Sequence, residues 1–337
     1  MRRTDLVTGG SGLLGLALAR RLAGAGRAVR LFDVRRPDAL PGGAEFREGD
    51  IRDAAAVDAA AGGAERIFHL AALMHVGRIV PRIVREVNIG GLLNVMNAAE
   101  KNGVRRVVFT STIEIYGTEP DYPCYEDSRI DPPPGYALHK WMGEKLLTRF
   151  SRRTGTEVAF TRMPMIFGPG FYHFKAVLRL FDAILAGLPI PVLDGGERKG
   201  KVVSLEDAVQ GLALAGERGE AAGEAFNICC GDVFTHRSFV EGIARAVGSR
   251  SRVVSVPSRL VKPAFEAMCR LGLSPVSPEH FHFTLSDCVY DISKAERLLG
   301  YTPAKTSVEA AAEALKHYGA SRRKYRKKPV TNLLVGK

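Results

Sequence analysis

The sequence predicts an α/β protein: a parallel sheet covered by helices on both faces, with a smaller lobe supplied by the second half of the chain. Three observations carry this expectation. Short apolar runs alternate with longer amphipathic ones through residues 6–110. A glycine-rich turn separates the first apolar run from the first helical one. After residue 165 the alternation breaks at Ile166-Phe167-Gly168-Pro169-Gly170. Repeated strand–helix alternation makes crossover connections, and these put helices on both faces of a parallel sheet.

Residues 6–8, 29–32, 67–70 and 106–110 read as strands, and 13–25 and 83–102 as amphipathic helices between them. A long helix at 136–153 and a strand at 158–162 continue the series. Further helices at 205–215, 236–247 and 308–318 are scattered through the second half. The expected architecture is a Rossmann-like, doubly wound parallel sheet with a smaller C-terminal substrate lobe. In such sheets ligands bind beyond the carboxyl ends of the strands.

With 46% hydrophobic and 25% charged residues, the 337-residue chain can bury one large core or two smaller ones. No apolar run approaches the roughly 20 residues needed to span a bilayer. The N-terminus reaches Leu6-Val7 without a signal-peptide core. A cytoplasmic location and no membrane partner are the expectations. Five cysteines, an odd number without metal-ligand spacing, argue against a disulfide framework and a metal site. Cys229 and Cys230, adjacent in a strand-like run, should face opposite ways. The net charge of +12 owes much to Arg322, Arg323, Lys324, Arg326, Lys327 and Lys328. Such a cluster, placed here in a tail at 320–337, reads as a solvated end rather than a nucleic-acid surface. Excess charge elsewhere suits a phosphate-bearing ligand.

Thr8-Gly9-Gly10-Ser11-Gly12-Leu13-Leu14-Gly15 follows a strand and opens a helix, the context in which spaced glycines indicate a dinucleotide site. Gly9 permits the tight turn, Gly12 lets the backbone approach a pyrophosphate, and Gly15 lets helix and strand pack closely. Leu13 and Leu14 then open the helix whose N-terminus faces the negative charge. Asp33, about twenty residues past the motif at the end of the second strand, can accept hydrogen bonds from ribose hydroxyls and repels a 2′-phosphate. That favours NAD over NADP, with Arg35 and Arg36 as groups that could reach a phosphate instead. The expected organisation is 1–165 for the NAD-binding domain and 166–319 mainly for the substrate lobe, some of whose segments return to the first domain.

Further along come Asp50-Ile51-Arg52-Asp53, His69-Leu70-Ala71-Ala72, Asn88, Thr110-Ser111-Thr112 and Tyr136-Ala137-Leu138-His139-Lys140. With these in order, the chain resembles the extended short-chain dehydrogenase/reductases over residue 5 to about 318. The resemblance implies that Asp50 and Ile51 border the adenine, that Leu70, Ala71 and Ala72 line the path of the ribose and nicotinamide, and that Asn88 belongs to the cofactor site. It also implies a homodimer built from the helices at 83–102 and 136–153. His69 is assigned no chemistry.

Tyr136 and Lys140 lie four apart on a helix and therefore project from one face. A phenol with a pKa near 10 is a poor base at neutral pH, and a nearby ammonium favours its phenolate. Lys140 can also hold the nicotinamide ribose. Thr112 matches the family's Ser/Thr position, where a hydroxyl orients the reacting oxygen. Ser111 competes with it, since one residue of slip in a strand reverses the side chain. In the expected step Tyr136 takes a hydroxyl proton while hydride leaves the same carbon for NAD, an outcome shared by epimerases, dehydratases and dehydrogenases.

The substrate positions depart from the sugar-nucleotide pattern. Met165 stands where those enzymes usually carry an asparagine, and Gly200 where they carry a pyrophosphate-binding arginine. Arg198, with Lys199 and Lys201, could supply substitute charge. Glu114 sits where sugar dehydratases place a catalytic glutamate, but the acid usually beside it is Ile113. The segment 110–117 and the ending Tyr290-Asp291-Ile292-Ser293-Lys294-Ala295 also look like the 3β-hydroxysteroid dehydrogenase branch. The preferred expectation is an epimerase/dehydratase acting on a nucleotide-activated sugar. The alternatives are a dehydrogenase of a sterol-like apolar alcohol and a non-catalytic NAD-binding protein.

Overall fold

The computed structural model describes residues 4–74, 80–171, 174–270 and 285–326. Seven parallel strands form the central sheet. They are β1 (Thr4–Thr8), β2 (Ala28–Asp33), β3 (Ala44–Glu48), β4 (Ala64–His69), β5 (Arg106–Thr112), β6 (Glu157–Met163) and β11 (Ala225–Asn227), in the spatial order β11-β6-β5-β4-β1-β2-β3. The order reverses beside β1, which opens the crevice where a doubly wound sheet holds its ligand.

Two apolar layers flank this sheet. On one face α1 (Leu13–Gly24) and α7 (Leu205–Glu217) bury Leu18, Leu22 and Leu212 against Val7, Leu31 and Val108. On the other, α2 (Ala54–Ala61), α4 (Gly91–Lys101) and α5 (Tyr136–Thr154) cover Leu6, Ile67, Phe109 and Phe160. Both faces of each central strand are therefore dry, which explains their continuous apolar character.

Three details differ from the sequence expectation. β3 and α2 carry no strong signal: β3 is an edge strand with three of its five residues exposed, and α2 is alanine-rich, its start fixed by the Asp53 carboxylate accepting from Ala55 and Ala56. The helix expected over 83–102 is instead α3 (Pro81–Arg85), a π-helical turn at Glu86–Gly90, and α4. The wider turn delivers Asn88 to the backbone of Leu73, which repays the lost regularity with two hydrogen bonds. Finally, the last helix does not stop at 318.

The lobe is built from α6 (Lys175–Leu185), α8 (His236–Ala246), α9 (Ser258–Arg270) and three two-stranded ladders: β7 (Ile166–Phe167) with β10 (Val203–Ser204), β8 (Ile190–Leu193) with β13 (Val253–Val256), and β9 (Lys199–Gly200) with β12 (Phe234–Thr235). Its core is aromatic: Phe167 stacks on Phe171 at 5.0 Å and Phe234 on Phe239 at 4.2 Å between centroids. α10 (Ser293–Leu299) packs back on the sheet domain, and α11 (Ser307–Arg326) crosses the lobe. This last helix takes in Arg322, Arg323, Lys324 and Arg326, because Arg and Lys are good helix formers and Arg322 pairs with Asp182 at 2.8 Å. Lys327 and Lys328 lie outside the described residues. Cys229 and Cys230 are both buried, one in the core beneath α7 and the other in the aromatic core of the lobe. Among the described residues no helix is long and apolar enough to cross a membrane, and no cluster of side chains is arranged to hold a metal.

Candidate active site

At the carboxyl end of β1 the chain turns sharply, with the Gly12 N–H donating to the Gly9 carbonyl at 3.1 Å. Gly9 has φ +68°, and a Cβ there would stand 2.8 Å from the Ala71 nitrogen. A Cβ on Gly15 would stand 2.5 Å from the Gly9 oxygen. Gly12 is exposed and meets nothing closer than 3.2 Å, so the turn is closed on its protein side and open on its outer side. That cradle, with Leu13 and Leu14 starting α1 behind it, has the shape and the partial positive charge that a pyrophosphate requires.

Asp33, half-buried at the end of β2, accepts from the Ser11 N–H at 3.0 Å. Burial raises its pKa, while the backbone N–H groups of Ser11, Val34 and Arg35 oppose that rise. Arg36 lies with its guanidinium 5.7 Å from the centroid of Phe46. Asp50 is paired with Arg52 at 2.5 Å, and the charge-assisted contact holds its carboxyl below the usual range. The Ile51 side chain turns into the core against Gly91, and its carbonyl accepts from Asn94 at 3.0 Å. The Ile51 side chain therefore belongs to the core. Leu70, Ala71 and Ala72 continue from β4 along the other wall. Both polar ends of the Asn88 side-chain amide are spent on Leu73, at 2.7 and 2.9 Å. Asn88 thus ties the π-helical turn to this wall.

β5, the 3-10 turn that follows it and α5 bring Thr112, Glu114, Tyr136 and Lys140 to the same end of the sheet. Thr112 closes β5, and its Oγ1 accepts from the Glu114 N–H at 3.3 Å, capping the 3-10 turn Ile113–Tyr116. Ser111 points the other way: its hydroxyl donates to the Glu144 carboxylate on α5. Lys140 is buried, donates from Nζ to the Thr110 carbonyl at 2.7 Å, and lies 4.7 and 5.6 Å from the ring centroids of Phe109 and Tyr136. Burial pulls its pKa down to about 7, against the upward pull of Glu144. Burial, with the nearby charge of Glu114, raises that of Tyr136. Burial and Glu114 thus act against the phenolate that a nearby ammonium favours.

The substrate positions lie on the lobe. Met165 packs against the aromatic core, and its carbonyl accepts from Val203 at 3.1 Å. Gly200 is buried in β9, where a Cβ would stand 2.8 Å from the Phe234 ring. Arg198 and Lys199 are exposed, and Lys201 is half-buried. The Arg198 charge is felt by Asp194 and His236.

Thr8, His69, Glu144 and Arg162 had no functional role in the sequence reading. Thr8 Oγ1 and His69 Nδ1 are hydrogen-bonded at 2.8 Å beneath the cofactor wall. Glu144 stands one turn beyond Lys140, and that i, i+4 spacing was the available signal.

Residues 6–229 match the family described as NAD dependent epimerase/dehydratase. The UDP-glucose 4-epimerase of Mycolicibacterium smegmatis is 33% identical over 275 residues, 76% of this chain and 86% of that one. The 3β-hydroxysteroid dehydrogenase/Δ5→4-isomerase of Mycobacterium tuberculosis is 30% identical over 344 residues, 93% and 90% of the two chains. A solved dTDP-glucose 4,6-dehydratase from Streptomyces venezuelae, with NAD bound, superposes with a TM-score of 0.76 at 26% identity, covering 97% of this chain and 100% of that one. The glycine cradle and Asp33 suit NAD, and NAD is the cofactor. The chain belongs to the NAD-dependent epimerase/dehydratase family, a branch of the extended short-chain dehydrogenase/reductases.

Proposed function

We propose that the enzyme moves hydride at a carbinol carbon of a nucleotide-activated sugar, with Thr112, Tyr136 and Lys140 as its proton-handling set and Gly9, Gly12, Gly15, Asp33 and Leu70–Ala72 holding the cofactor. The observation that carries the reaction class is the meeting of Thr112, Tyr136 and Lys140 at the carboxyl end of β5, across from the glycine cradle. When bound, NAD supplies the hydride acceptor. Thr112 Oγ1 orients the substrate oxygen, and Tyr136 Oη takes its proton or returns it. The Lys140 ammonium, 5.6 Å from the phenol ring, lowers the cost of the negative charge that develops there. Glu114, whose charge acts on Tyr136, is the carboxylate for a second proton transfer, the one a dehydration would need.

The nucleotide-sugar reading draws support from relatives whose names carry UDP-glucose and dTDP-glucose, and from Arg198, Lys199 and Lys201 on the lobe. A second reading, an apolar secondary alcohol, is favoured by Gly200: Phe234 fills the space an arginine side chain would need, and Met165 adds an apolar wall. A homodimer accords with the exposed Leu93 on α4 and Leu138 and Met142 on α5. Incubation with UDP-, GDP- and dTDP-hexoses, and separately with apolar secondary alcohols, tests these readings, with NADH absorbance and product mass and NMR spectra as readouts. Conversion of a sugar nucleotide that is lost in Tyr136→Phe supports the first. NADH formation from an apolar alcohol alone establishes the second.

A further inference from the structure

We propose that Glu144 and Arg162 act as a positioning pair, locking α5 against the end of β5 and keeping Lys140 charged. Both side chains are almost wholly buried, at 3% and 5% exposure. Nε of Arg162 donates to one Glu144 oxygen at 3.1 Å and Nη2 to the other at 2.8 Å. A buried ion pair is a poor device for stability, since apolar side chains of similar volume often serve as well or better. What this pair joins points to its use.

Glu144 lies one turn beyond Lys140 and takes the hydroxyl hydrogen of Ser111, the residue before Thr112. From β6, Arg162 donates through Nη1 to Tyr116 Oη at 3.0 Å and to the Glu126 carbonyl at 2.7 Å. The Tyr116 hydroxyl bonds Asn227 on β11 at 2.7 Å. Thr112 is thus bracketed by two residues, Ser111 and Tyr116, that are fixed through one network to the helix carrying Tyr136 and Lys140.

Electrostatics gives the pair its second role. Lys140 is surrounded by the Thr110 carbonyl and Phe109 ring of β5, by His69 of β4, and by Tyr136 and Glu144 of its own helix; Glu114 stands beyond Tyr136, and Arg162 behind Glu144. His69 is neutral at working pH. Glu144 is the anion whose field opposes the loss of hydration at Lys140.

The test follows the Lys140 proton directly, by 13C-lysine NMR of the full chain, with Lys140→Arg to assign the signal. In Glu144→Gln the titration midpoint of Lys140 should fall by about one pH unit or more, the scale of a neighbouring charge, and Glu144→Asp should return it towards the native value. Should Glu144→Gln not fold, Glu144→Met combined with Arg162→Met keeps the volume, removes both charges, and should show a drop in the same direction. A native midpoint in a folded protein of either kind overturns the proposal, and so does a fallen midpoint that Glu144→Asp fails to raise. Because the readout needs no substrate, the outcome is independent of which alcohol the enzyme uses.

Discussion

Acid should act on this protein through His69 in a way that one substitution reveals. The ring is 1% exposed, hydrogen-bonded to Thr8 and stacked on Phe109 at 5.8 Å, and burial pulls its pKa down from 6.5 to about 3, with the Lys140 charge adding to the effect. A folded-state pKa below the unfolded one means that the unfolded chain takes up the proton first. Stability is therefore fully present above the unfolded value and drains away as pH falls towards the folded one. Each pH unit inside that window costs about 1.4 kcal/mol, so going from pH 6.5 to 4.5 should remove roughly 2.5 kcal/mol through this residue. His69→Asn keeps a partner for Thr8 and cannot titrate. Urea unfolding of both proteins at pH 7.5 and 4.5 isolates the effect, because losses from carboxylates are common to the two. The variant should be the weaker at pH 7.5 through lost packing, and that gap should narrow by roughly 2.5 kcal/mol at pH 4.5. A gap of constant size would refute the reasoning.

Thermal shifts should be larger with NAD than with NADP, because Asp33 opposes a 2′-phosphate and Arg36 is engaged with Phe46; equal shifts would hand selectivity to Arg35. Gly15→Ala puts a carbon 2.5 Å from the Gly9 oxygen. Overpacking of this kind costs about 1–3 kcal/mol, and calorimetry should show NAD affinity falling by at least about tenfold as the turn is displaced. Tyr136→Phe should abolish turnover of an identified substrate with NAD affinity nearly intact, whereas Lys140→Ala should impair both, as steady-state kinetics and calorimetry will show.

The inner strands of the sheet were readable from sequence because both of their faces are buried and each carries an unbroken apolar run, Leu6-Val7 in β1, Ile67-Phe68 in β4 and Val107-Val108-Phe109 in β5. β3 was not, since an edge strand reading Ala-Glu-Phe-Arg-Glu looks like solvated chain until Phe46 is seen against the sheet. β11 offered only Ala225, Phe226 and Asn227, and pairing with β6 is a long-range event that no local pattern announces. The glycine cradle and the Tyr136–Lys140 spacing were legible because each is a local geometric device. Gly200 was legible only as an absence. That its space belongs to Phe234, distant in sequence, is a fact of packing, and so is the Ser111–Glu144–Arg162–Tyr116 chain, whose members come from three elements and one turn. The burial of Tyr136 and the opposing charge of Glu114 were not legible for a related reason: sequence spacing shows which groups are near but not how much water has been removed.

The late arrival of β11 has a consequence for the nascent chain. β6 is complete at Met163, yet its outer neighbour is not synthesised until Ala225, roughly sixty residues later, which is several seconds at about 5–20 residues per second. Throughout that interval the emerging sheet presents an apolar strand with unpaired backbone groups, the feature that recruits strands from other chains. α7, which covers part of the same sheet face, also comes late. Ribosomal pausing or truncation between residues 165 and 225 should therefore yield aggregates instead of a separable cofactor domain, and chaperones should engage the chain during that window.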